Sequence, residues 1–167
     1  MSDFLQEFPD EGSQNKEIYA YFGLAAYLAS VFEEGVAIET TMLQLIKDLR
    51  EHKIATKLQW EQRHDEQMAR AHKLPLGPAL ARLASLLELP LKTRQLFDEA
   101  LRTRNYLIHH FFRDEIHEFY TAPGRERMYA KLKSYVDLFA QADRELMAAT
   151  AIQRNRVGLT DERLRRA

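Results

Sequence analysis

The chain has 167 residues, 46% of them hydrophobic, with no cysteine and a net charge of −1 from 24 basic and 25 acidic side chains. Such a length suits one domain that buries roughly two thirds of its unfolded surface, and the lack of cysteine excludes disulfides, thiolate metal sites and cysteine nucleophiles. The balanced charge excludes a global positive field, so any contact with RNA or an anionic surface has to be local.

Residues 1–15 read as a flexible acidic lead-in; with no basic flank ahead of an apolar core, they are neither signal nor transit peptide, which points to a cytoplasmic protein. From about Lys16 to Arg50, the positions Phe22, Ala25, Ala29, Phe32, Val36, Leu43 and Ile46 recur at three- and four-residue steps and predict one long amphipathic helix. The apolar run from Tyr19 to Phe32 is interrupted by Gly23 and Ser30 and closed by Glu33 and Glu34, too short and too amphipathic to span a bilayer. From about Leu58 to His72 only Trp60 and Met68 are anchors among many charges, as in a solvated or peripheral helix. Pro75, Gly77 and Pro78 then break the chain; Pro78 suits the first turn of a short helix from Ala79 to Glu88, which Pro90 ends.

Between Lys92 and Tyr120 the spacing predicts a second long helix, with Leu96, Ala100, Leu101, Asn105, Ile108, Phe111 and Phe112 on one face. After a break at Thr121 to Gly124, a last helix from Arg125 to about Ala149 buries Met128, Leu132, Tyr135, Val136, Phe139 and Leu146. Residues 151–167 form a basic tail carrying Arg154, Arg156, Arg163, Arg165 and Arg166, expected to fray or to dock on a partner. No period-two run suggests a strand, and short connections make neighbouring helices antiparallel. The expectation is an all-α protein: an antiparallel up-and-down helical bundle of four to five helices over residues 16–150.

The stretch from Arg104 to His110 carries the most chemistry. Asn105 and His109 lie one turn apart on a helix, so the amide can hold the imidazole in one tautomer while the other ring nitrogen faces a substrate. Arg104 lies about 140° around the helix from His109, so a long side chain or a second copy of the helix has to bring both to one phosphate. A histidine titrating near pH 6.5 can take one proton and return another at neutral pH, and a guanidinium can bind two phosphate oxygens as charge builds. This pairing suits cleavage of RNA by its own 2′-hydroxyl, without metal, and leaves DNA untouched. His110 offers a second spacing. The plain alternative is that Arg104 and His109 are ordinary boundary residues, because such a spacing arises about once or twice by chance in a chain of this composition.

The block from Leu101 to Phe112, Leu-Arg-Thr-Arg-Asn-Tyr-Leu-Ile-His-His-Phe-Phe, resembles the motif helix of the HEPN family, in which arginine and a following asparagine precede histidine by four to six residues. The runs from Phe22 to Glu33, from Phe111 to Phe119 and from Gly124 to Met128 resemble bacterial proteins close to HEPN domains. The resemblance covers about half of the chain. It implies a compact helical homodimer that places two motifs in a shared cleft and acts as a metal-independent endoribonuclease without a cofactor. The setting it implies is a toxin–antitoxin or phage-defence system, where a cognate antitoxin protein is a further partner. Other members of that family are noncatalytic dimeric modules that bind a protein or a nucleotide. Carried over, Arg104 binds phosphate, His109 is the general acid and base, Asn105 orients it and His110 is a second candidate; Glu33 either lines the same cleft through an ion pair to Arg104 or is a plain surface or core-edge residue. Phe111 stands where one subgroup has tyrosine, so regulation through that tyrosine is excluded.

Two further patterns are weaker. Glu61 with His64, and Asp114 with His117, have the spacing of di-iron bundle ligands but lack further inward glutamates, so no metal is expected. The aromatic residues from Tyr106 to Tyr120 suit either base stacking or an apolar core.

Overall fold

The computed structural model describes residues 3–156, whose regular structure is entirely helical. In chain order the elements are α1 (Asp3–Glu7), α2 (Glu11–Arg50), α3 (Lys57–Ala71), α4 (Leu76–Leu86), α5 (Leu91–His109), α6 (Phe111–Asp114), a 3-10 turn at Glu118–Tyr120, and α7 (Ala122–Arg156). The all-α expectation holds, with seven α-helices among the described residues where four to five were expected.

Helix α2 begins five residues before the apolar period does, because Asp10 caps it: its Oδ1 accepts the Ser13 amide at 3.0 Å while the Ser13 hydroxyl donates to the Asp10 carbonyl at 2.8 Å. Ahead of α2, Phe4 in α1 is buried and stacks on Tyr129 of α7 at 4.6 Å. At the other end His52 takes a left-handed φ of 56°, which lets the Lys53 amide reach back to the Asp48 carbonyl at 2.9 Å and close the helix. A capping box then starts α3: Thr56 Oγ1 accepts the Gln59 amide at 3.2 Å, and Gln59 Oε1 accepts the Thr56 amide at 3.3 Å.

Helix directions follow from residue pairings. Gln14 meets Arg125, Tyr21 meets Tyr129 and Glu39 meets Arg154, so α2 and α7 run the same way along most of their length. Phe32 packs on Phe97 and Phe22 on Phe111, so α5 runs against α2. The core between these helices contains the fully buried Phe32, Leu83, Leu107, Phe111, Met128, Leu132, Phe139 and Leu146, each contributing roughly 1.5–3 kcal/mol by leaving water. By length and composition alone α2 also passes for a membrane span, a test that the central helix of a bundle meets as well.

Two sequence expectations about α7 need correction. Pro123 and Gly124 do not end a segment but sit in the first turn of the helix, where Thr121 Oγ1 accepts the Gly124 amide at 3.1 Å. Gly124 is obligatory there, since a Cβ would collide with the carbonyl oxygen of Glu118. The helix also continues to Arg156, and Arg154, expected in a tail that frays or docks on a partner, is instead buried within the chain with Nη1 donating to Glu39 Oε1 at 2.7 Å. Arg163, Arg165 and Arg166 lie outside the described residues.

Candidate functional site

The second long helix expected from Lys92 to Tyr120 is divided. Helix α5 ends at His109, His110 adopts φ −132° and ψ −25°, and α6 begins at Phe111. The Arg104–His110 stretch therefore closes a helix instead of sitting in its middle. The elbow forms because Phe111 and Phe112 turn inward together: Phe111 is buried with its ring 6.0 Å from Phe22, and Phe112 lies 4.7 Å from the same ring. The buried stripe of α5 is Thr93, Phe97, Ala100 and Leu107, whereas Asn105 and Ile108, which the spacing placed on the core face, are exposed.

A polar clamp fixes this elbow. Tyr106 donates to Glu115 Oε1 at 2.9 Å, and Lys131 from α7 pairs with the same carboxylate while its Nζ sits 4.7 Å from the centre of the Tyr106 ring. Burial alone raises the Glu115 carboxyl, but the Lys131 ammonium and the Tyr106 hydroxyl together outweigh it and hold the group below the ordinary carboxylate value. Burial raises the Tyr106 hydroxyl, and its bond to the Glu115 carboxylate raises it further.

Arg104 turns from the last third of α5 toward α2. Its Nη2 donates to Glu33 Oε2 at 3.1 Å and its Nη1 to Asn105 Oδ1 at 3.3 Å, with the arginine and glutamate side chains 28% and 32% exposed. The ion pair between Glu33 and Arg104 is thus present in a single chain. Asn105 grips the arginine instead of the histidine, and among the described residues no hydrogen bond joins it to His109. His109 is exposed, makes no hydrogen bond among the described residues, and has its ring 6.2 Å from that of His110. His110 is engaged: Arg113 Nη2 lies 2.8 Å from its Nδ1. A guanidinium only donates, so this nitrogen accepts and the ring proton resides on Nε2. Arg113 also donates to Asp114 at 2.9 Å.

Within one chain, then, Arg104 faces α2 and His109 faces outward, so the two do not converge on a common atom without a second copy. Beside the elbow, Tyr19, Phe112, Phe119 and Tyr120 line an open hollow of about 460 Å³; Tyr120 is 75% exposed, and Phe112 and Phe119 pack 6.0 Å apart. Of the two roles the sequence allows these rings, Phe111 serves the core and Tyr120 faces solvent.

One neighbouring pair escaped the sequence reading. His72, which caps the end of α3, places Nε2 3.0 Å from Glu34 Oε1, and both line a small hollow with Glu33. No spacing signal finds a contact across 38 residues that depends on α3 folding back along α2. Among the described residues no three histidine, aspartate or glutamate side chains gather as a metal set; His64 approaches Asp65 at 3.2 Å, and Asp114 is taken by Arg113.

Compared with known proteins, the chain matches no family model, no curated sequence and no solved structure.

Proposed function

We propose that the chain is a HEPN-like, metal-independent endoribonuclease that works as a homodimer in the cytoplasm. The observation that carries this reading is an arginine held at mid-exposure on the same helix whose end presents an exposed imidazole that makes no hydrogen bond among the described residues. The guanidinium of Arg104 would exchange Glu33 for a phosphate and stabilise its developing charge. His109 would take the 2′-hydroxyl proton and protonate the leaving 5′-oxygen, with the Arg104 that meets the same phosphate coming from the partner protomer. His110, already bonded to Arg113, would position that cation near the phosphate. The exposed rings of Tyr19 and Tyr120 offer faces on which bases stack. Support for self-association comes from the large apolar side chains that stand in water: Leu24 and Tyr27 on the first half of α2, 41% and 65% exposed, and Ile108 next to His109, 45% exposed. A cognate antitoxin, in a toxin–antitoxin or phage-defence setting, is the protein partner this reading carries with it.

The test is incubation of purified protein with total RNA in EDTA. Wild type is expected to cleave, and His109→Ala and Arg104→Ala each to lose on the order of 10²-fold or more, the scale of general acid–base and charge-stabilising groups. Equal cleavage by all three proteins overturns the mechanism.

A second reading has its own observation. Both terminal nitrogens of Arg104 are already occupied, by Glu33 and Asn105, as in a structural arginine that braces α5 on α2. On that reading the chain is a noncatalytic helical module that dimerises and binds a protein or nucleotide partner. A stable dimer without RNase activity, in which Arg104→Ala lowers the melting temperature, selects it.

A further inference from the structure

The first half of α2 turns an apolar face to water. At about 100° per residue, Lys16, Ala20, Gly23, Tyr27 and Glu34 fall within about 40° of the side opposite the buried Ile18 and Val36, and all five are exposed. From Ile18 to Phe32 no residue carries a charge, and Tyr19, Leu24 and Tyr27 all stand in water. An 18-residue window of α2 is apolar enough to pass for a membrane span, yet only 28% of it is buried within the chain. Such a face is costly to leave bare.

The face complements itself. Lys16 and Glu34 lie 18 residues apart, five full turns or about 27 Å, and so bound the same strip. Against a second α2 running the other way, with the register centred on residue 25, Lys16 meets the partner's Glu34, and Tyr27 meets the partner's Gly23. A Cβ added at Gly23 finds nothing within 4 Å, so the bare backbone there is open ground for the aromatic ring that the partner brings. Each contact then occurs twice, as a twofold axis requires. Lys16 pairs with no acid among the described residues, while Glu34 meets His72 at 3.0 Å, where the end of α3 closes the strip. One base and one acid per copy leave the face neutral, so it has no attraction for an anionic lipid surface but matches its own inverse.

We infer that two copies of the chain associate through this face, α2 against α2 in antiparallel register, with each Tyr27 seated on the partner's Gly23 and each Lys16 paired with the partner's Glu34. The inference deepens the homodimer reading above and rests on it for the partner, but not on RNA cleavage. Contacts of Phe111 with Phe22 and of Arg104 with Glu33 hold α5 along one edge of the strip. A twofold axis perpendicular to the paired helices therefore sets both α5 helices on the same side, with His109, which lies between those two contacts in sequence, near the level of the axis.

The test is sedimentation velocity on the full chain at micromolar concentration, with circular dichroism as the control for folding. Wild type is expected to sediment with twice the mass of the chain. Gly23→Gln fills the notch with a better helix former, so it is expected to give a monomer with unchanged or greater helix content; Tyr27→Glu is expected to do the same by removing the knob. Lys16→Glu and Glu34→Lys should each weaken the dimer on the order of tenfold, since each sets like charges together twice, and the two combined should restore it. A monomeric wild type overturns the proposal, whether it stays in solution or floats with phosphatidylcholine vesicles. So does a dimer that ignores Gly23→Gln and Tyr27→Glu, or a double charge exchange that fails to recover the loss. A dimer that cleaves no RNA leaves this interface standing, and RNA cleavage by a protein whose dimer ignores these substitutions strikes the interface alone.

Discussion

Replacing Glu33 with glutamine keeps the shape of the side chain and removes the charge that holds Arg104. At 3.1 Å, two unit charges attract by about 1.3 kcal/mol in water and about 5 kcal/mol at an effective dielectric of about 20. Both side chains are about a third exposed, so screening and the entropy of fixing them reduce the net coupling to about 0.5–1 kcal/mol. A double-mutant cycle of Glu33→Gln and Arg104→Met, read by urea unfolding, should return that coupling, and it should shrink in 1 M salt. The same glutamine variant leaves the guanidinium free for a phosphate, so RNA affinity should rise about two- to fivefold, the same free energy expressed as binding. A coupling of zero together with unchanged RNA affinity would show that Glu33 does not govern Arg104 and would remove the exchange step from the proposed mechanism.

Other perturbations probe the scaffold around this site. Gly124→Ala drives a methyl into the Glu118 carbonyl and should cost about 2 kcal/mol, lowering the melting temperature by about 4–8 °C as followed by far-ultraviolet circular dichroism; an unchanged melting point would mean that the turn gives way freely. Because the folded Glu115 carboxyl is held below its ordinary value of 4.5, its stabilisation is present above that pH and lost as pH falls through its lowered value. The stability gap between wild type and Glu115→Gln should therefore be constant near neutrality and close on acidification; a gap that widens in acid contradicts the clamp. His52→Gly relieves a left-handed φ at the end of α2 and should stabilise the protein by about 0.5–1 kcal/mol in urea unfolding.

The helical class was readable because the apolar steps of α2 and α7 persist over many turns, and Phe32, Val36, Met128, Leu132, Phe139 and Leu146 are indeed core residues. The ends of those helices were not, since they depend on a few local hydrogen bonds: Asp10 extends α2 beyond its apolar pattern, and Thr121 accommodates Pro123 and Gly124 inside α7. The elbow at His110 was hidden for the opposite reason. Phe111 and Phe112 continue the three-to-four spacing, so the period runs unbroken through a place where the backbone bends. Extending one helix across it rotated the inferred core face, which is why Asn105 and Ile108 were assigned inward and Leu107 was overlooked. The approach of Glu33 to Arg104 was one of two roles open to that glutamate, because a partly buried guanidinium is eased by a nearby carboxylate while the spacing suits a surface position equally well. The union of Glu39 with Arg154, 115 positions apart, had no counterpart in the sequence, where an arginine near a basic terminus looks solvated.

The parallel course of α2 and α7 has a mechanical consequence. Arg125 with Gln14 at one end and Arg154 with Glu39 at the other act as bolts, so the two long rods cannot slip by a turn without breaking a buried bond at each end. They should behave as one stiff beam, with the slowest amide exchange in the molecule. Any part of the described fold that yields more easily has to hang from that beam, in α3 and α4 or at the joint after His109.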